Sequence, residues 1–117
     1  MAGRAYAVRV APNVLNLPLR RPAVVARSAA SLDRLSGGRV DLGLGAGAFW
    51  YAIVAMGGER LTPGESVDAL SEAIDVIRSI WDVSTRRGVR VEGQHHRVVG
   101  GKRGPEPAKR GRCGARA

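Results

Sequence analysis

The chain has 117 residues, with 19 Lys+Arg against 10 Asp+Glu, 16 Gly, one Cys and only 4% aromatic residues, which describes one domain at most. Two full domains are excluded, and so is a complete eight-fold β/α barrel, which needs about 250 residues. A single Cys113 excludes a disulfide framework, a CxxC pair and a cysteine zinc quartet, so a reducing compartment, the cytoplasm, is expected.

In chain order, Tyr6, Val8 and Val10 alternate with Ala7 and Arg9, a period of two that predicts a strand ending near Asn16. Pro22 then suits the first position of a helix, where its missing N–H has no partner to lose. Val25, Ala29, Leu32 and Leu35 supply an inner face, and Ser36-Gly37-Gly38 a left-handed cap. Residues 39–45 alternate again, placing Val40, Leu42 and Leu44 on one side and Asp41, Gly43 and Gly45 on the other. Leu42 to Gly58 carries no charge, but it is shorter than a membrane span and holds five glycines, so it reads as a buried strand followed by a loop.

Thr62-Pro63-Gly64-Glu65 is a capping box with proline at the first helical position. The helix it opens shows Val67, Leu70, Ile74, Ile77 and Trp81 as a buried stripe. Glu65, Asp68, Glu72 and Asp75 lie on another face, read as solvated. Val89 and Val91, a turn at Glu92-Gly93-Gln94-His95 and Arg97-Val98-Val99 predict a hairpin. His95 and His96 are neighbours whose side chains diverge, which suits a polar turn better than a shared ion. From Gly100 onward periodicity gives way to Gly, Pro, Lys and Arg. The last 17 residues hold a net charge of +5 against +4 for the first hundred, so 101–117 is expected to be a basic, disordered tail.

The alternation of strand and helix implies an α/β protein with a parallel sheet. Its chemical cue is Asp41-Leu42-Gly43-Leu44-Gly45-Ala46-Gly47. If the Val/Leu side packs under the helices, Gly43 and Gly45 face the other way, near the carboxyl end of a parallel strand where ligands bind. Two readings stand: a hollow that admits a flat ring close to the backbone, or glycines that merely allow tight strand packing. The run is no dinucleotide fingerprint, since Ala48 and Trp50 stand where the last glycine is required, and Gly101-Lys102-Arg103 is no P-loop. No catalytic residue and no metal ligand set is assigned. Without aromatic interleaving, nucleic-acid binding by the basic tail is only the alternative function, a non-enzymatic binding module.

Val14 to Val24 (VLNLPLRRPAV), Leu32 to Gly47 (LDRLSGGRVDLGLGAG), the helix Thr62 to Trp81 and the Glu92 to His96 turn together resemble the bacterial luciferase-like monooxygenases, over about residues 6 to 100. That family includes flavin-dependent and coenzyme F420-dependent oxidoreductases. The resemblance implies a partial (β/α)8 TIM barrel in residues 1–100, about two to three β/α units around the third and fourth strands. It implies FMN or coenzyme F420 as cofactor and a small-molecule organic substrate, with a homodimer or a complementing chain as protein partner and weak or absent activity for this chain alone. Pro12 and Asn13 fall where the family rests its ring on a bulge of the third strand. Pro12 departs from the small residues usual there, although an X-Pro bond adopts cis at a cost of about 0.5–1 kcal/mol. Gly45, Ala46 and Gly47 match the backbone that skirts the cofactor, and Trp50 or Tyr51 would close over it. An apolar fifth strand is expected after Gly104-Pro105, whereas Ala108-Lys109-Arg110-Gly111-Arg112-Cys113 stands there, which suggests a frameshift near Ala108.

Overall fold

The computed structural model describes residues 11–12, 14–108 and 113–116, and only the backbone of the last four. The predicted strand over 6–10 lies outside the described residues. The chain then forms a short strand, β1 (Leu15–Asn16), and a single 3₁₀ turn at Leu17–Leu19. Helix α1 (Pro22–Leu35) starts on the proline and stops where Gly37 and Gly38 take positive φ of 74° and 85°.

Strand β2 (Leu42–Gly45) is shorter than the alternation suggests. The reason is local. The Val40 N–H donates to Asp33 Oδ1 (3.0 Å), and the Arg39 guanidinium folds back to donate to the Ser36 carbonyl (2.6 Å), so these residues tie to the end of α1. The expected loop after β2 instead contains a helix, α2 (Trp50–Ala55). It is too short and too uniformly apolar to show a 3.6 period, and it ends on Gly57 and Gly58, whose N–H groups donate back to Val54 and Ile53.

Helix α3 (Pro63–Trp81) opens on the capping box: Glu65 N–H donates to Thr62 Oγ1 at 3.2 Å and Thr62 N–H to Glu65 Oε1 at 3.1 Å. The hairpin β3 (Val89–Glu92) and β4 (Arg97–Gly101) comes next in antiparallel pairing. Both helical inner faces are rotated from the pattern of large residues. Helix α1 buries Val25, Ala26 and Ala30 while Leu35 is 86% exposed, and α3 buries Ala69, Leu70, Ala73, Val76, Ile77 and Ile80 while Val67 is 51% exposed. Small alanines let the two helices approach, and the Trp81 indole N–H donates to the Ala26 carbonyl across the contact (2.8 Å). Two of the large side chains left outside, Val24 and Leu32, line a groove beside α1.

The tail expected to be disordered over 101–117 has no regular structure over 102–108, but this part is hydrogen-bonded in place. Chain 102–108 is held against both helices. Arg27 donates to the Lys102 carbonyl (3.0 Å) and Arg34 to that of Glu106 (2.6 Å), while Ala108 N–H donates to Asp33 Oδ2 (2.8 Å). Arg103 donates to the carbonyls of Ser79 and Arg87, both at 2.7 Å. Then β5 (Cys113–Arg116) pairs parallel with β2, giving the sheet order β1-β2-β5. Arginine guanidiniums meeting main-chain carbonyls order a segment that has no hydrophobic period to reveal it.

Candidate functional site

Three parallel strands with α1 and α3 on one face set the geometry. Leu42 and Leu44 point into the helix-side core with Val25, Leu70, Ile77 and Ile80, so Gly43 and Gly45 face the other way, as the alternation requires. The register Leu15↔Leu44 and Asn16↔Gly45 brings Asn16 and Gly45 side by side at the carboxyl ends.

The hollow expected over those glycines is filled. A methyl group added at Gly45 would stand 2.7 Å from Val14 Cγ2, and one at Gly43 would stand 2.9 Å from the Pro12 carbonyl oxygen and 3.4 Å from Val14 Cγ1. Tight strand packing, one of the two readings left open by the sequence, accounts for the glycines at 43 and 45. Gly47, at φ +118°, is covered as well: Trp50 Cη2 and Pro18 Cγ lie 2.8 and 2.9 Å from the place of its missing methyl. A flat ring on this face would therefore meet Val14 and the Pro18–Trp50 contact rather than the bare backbone of Gly43, Gly45 or Gly47, and no chemical step is derived through one.

The structure does bring Gly45, Ala46, Gly47 and Trp50 into one corner, where the indole closes over the loop rather than over an open seat. Pro12 lies beside Gly43 rather than in that corner, and lines an apolar groove of about 710 Å³ with Val24, Leu32 and Leu42. Asn13 lies outside the described residues. Tyr51 is 74% exposed. The signal missed in the sequence is Val14, whose parity beside β1 puts it across the two glycines.

Beside this corner a cleft of about 470 Å³ opens between Pro18, Ala46, the amino end of α3 and the hairpin tip. Ala46 belongs to the helix-side core with Leu44, so the cleft lies on the helix side of the sheet. Its polar wall rests on Glu72, which is half-buried and hydrogen-bonded to the hairpin rather than freely solvated as expected. Its carboxylate accepts the main-chain N–H groups of Gln94 (2.8 Å), His95 (2.8 Å) and His96 (3.0 Å). Burial alone would raise the Glu72 pKa, but these three donors and the charge of His95 together hold it below the ordinary carboxylate value. For His96 burial dominates and lowers the pKa, although Glu72 and the Ala69 carbonyl oppose it. Its Nε2 is shut away from solvent with no partner among the described residues.

A parallel strand order with helices on one face defines a β/α scaffold. Residues 1–112 match the model of the luciferase-like monooxygenases, and the chain belongs to that family. Among curated relatives it is 34% identical to the F420-dependent glucose-6-phosphate dehydrogenase of Amycolatopsis mediterranei, over 87% of this chain and 30% of that protein. It is also 34% identical to the 4-hydroxyprotoasukamycin monooxygenase of Streptomyces nodosus subsp. asukaensis, over 68% of this chain and 20% of the relative. A solved monooxygenase from Streptomyces bottropensis superposes with a TM-score of 0.75 at 26% identity, covering 93% of this chain and 31% of that one. An F420-dependent secondary alcohol dehydrogenase shares the fold with a TM-score of 0.78 at 23% identity, covering 92% of this chain and 32% of that one. The chain thus spans 20–30% of the length of these curated relatives. The F420 dependence named for the Amycolatopsis dehydrogenase and for the secondary alcohol dehydrogenase agrees with the cofactor class, FMN or coenzyme F420, that the resemblance implies. No helix among the described residues is long and apolar enough to cross a membrane.

Proposed function

We propose that this chain forms the third- and fourth-strand part, about two to three β/α units, of a cytoplasmic luciferase-like oxidoreductase that uses FMN or coenzyme F420 on a small organic substrate. The observation that carries the reading is the parallel β1-β2 pair whose carboxyl ends gather Gly45, Ala46, Gly47 and Trp50 in one corner, in a chain matched to the family over 112 residues. When bound, such a cofactor supplies the hydride or oxygen chemistry; the protein orients it and excludes water.

The contribution assigned to this chain is shape. Val14, packed over Gly43 and Gly45, would form the inner wall presented to a ring, while the Gly47-Pro18-Trp50 contact would hold the rim. With so few strands the chain alone should bind the cofactor weakly or not at all and show little activity, gaining both from a homodimeric or complementing chain. The alternative of nucleic-acid binding by the tail is not favoured, because the Arg103 guanidinium already binds the carbonyls of Ser79 and Arg87.

The test is a chimera in which residues 14–108 replace the matching strands of the Amycolatopsis dehydrogenase, titrated with coenzyme F420 and with FMN by fluorescence. Saturable binding of either by the chimera, with little by the chain alone, is expected. A folded chimera that binds neither overturns the proposal.

A further inference from the structure

Glu72 of α3 ties down the hairpin tip through three main-chain N–H groups, and His96 adds a contact with the Ala69 carbonyl of the same helix. Beyond the three N–H groups it accepts, Glu72 abuts Gly93 so closely that a methyl group there would overlap the carboxylate, so the clasp requires glycine at that position. Gly93 N–H closes the turn on the His96 carbonyl at 3.0 Å. Gln94, His95 and His96, all gripped by Glu72, also form one wall of the 470 Å³ cleft. The clasp therefore holds the cleft wall itself.

We propose that Glu72 and the 93–96 tip are an acid-released latch: the ionised carboxylate docks the tip as the outer wall of the cleft, and protonation frees it and opens the cleft. The chemistry of the donors and acceptors gives the mechanism. An ionised carboxylate accepts all three N–H groups in charge-assisted hydrogen bonds, whereas protonation turns one oxygen into a hydroxyl that is a poor acceptor and removes the charge that strengthens the others. Protonating His96 acts in the same direction, because it places a charge and a second N–H where Nε2 has no acceptor among the described residues.

The charged groups around the tip are Glu72 and Glu65 from α3, His95 beside His96, and Arg20 and Glu59 on the opposite lips of the cleft. Of these, Glu72 draws His96 towards its charged form and His95 draws it away. Glu72 and His96 both titrate below their ordinary values when docked, so the docked tip holds fewer protons than the released one, and falling pH favours release.

Amide hydrogen exchange on the ¹⁵N-labelled full chain tests this. Protection of the Gln94, His95 and His96 amides should begin to fall as pH drops below the ordinary imidazole value of 6.5 and fall further below the ordinary carboxylate value of 4.5, by roughly tenfold for each unit of pKa depression. Core amides such as Val76 and Ile77 should keep theirs. In Glu72→Gln, tip protection should be low and flat with pH; in His96→Phe, the fall should be confined to the carboxylate range. Tip amides that keep their protection in acid, a Glu72→Gln chain with the wild-type profile, or core and tip amides lost in parallel would each overturn the latch.

Discussion

The β2 corner and the α3-hairpin clasp are neighbours held together by different forces. In the corner, Leu44 is fully buried on one side of the strand and Val14 sits over two glycines on the other, so cohesion comes from shape and from apolar area removed from water. In the clasp, one carboxylate gathers three main-chain donors on a partly exposed surface. The difference teaches where solution conditions can act. Close-packed carbon contacts carry no charge to titrate, whereas the clasp changes its hydrogen-bonding capacity with a single proton.

The largest expected effect is on the corner. Leu44→Ala should cost about 2–5 kcal/mol in urea unfolding, because the buried cluster around it leaves little room to collapse. An unfolding midpoint close to wild type would mean that the helix-side packing is looser than described. Next come the glycines, with a cost of about 1–3 kcal/mol each for overpacking. Gly45→Ala meets a side chain, so Val14→Ala should recover most of its loss. Gly43→Ala meets the Pro12 carbonyl oxygen, which no truncation of Val14 removes. Equal rescue of both by Val14→Ala would break the assignment of Val14 as the wall.

Smaller still, Thr62→Ala should cost about 1 kcal/mol by removing the cap of α3, read from the same urea curves. The subtlest test is pH. With docked pKa values below ordinary for His96 and Glu72, stability from the clasp is complete above the ordinary imidazole value of 6.5. It weakens as pH falls through that value and weakens again through the carboxylate range, whose ordinary value is 4.5. The energetic cost of Leu44→Ala should stay the same across this range. A cost that tracks pH would show that corner and clasp are one cooperative unit.

Much of this was legible along the chain. Pro22, the capping box at Thr62, the hairpin and the side-to-side alternation of Leu42-Gly43-Leu44-Gly45 rest on rules of a few neighbouring residues, and each is found in place. Family membership was legible as well, from Leu32 to Gly47 in particular. The inner faces of α1 and α3 were not: the periodic large residues Leu32, Leu35 and Val67 lie partly or wholly outside while alanines lie within, because close approach of two helices selects small residues that periodicity undervalues. Nor could sequence spacing join Glu72 to a turn 22 residues away, or Asp33 to Ala108 across 75.

By itself the sequence determined the types of α1, β2, α3 and the hairpin, the parity of the central strand and the α/β family, since these depend on backbone preferences and on residues within a turn or two of one another. Only the tertiary structure decided what each face meets: that Val14 fills the space the glycines leave, that Trp50 covers Gly47, and that an acidic helix residue grips the hairpin. Those outcomes depend on which distant segments occupy the same few ångströms, and nothing in a local pattern encodes that.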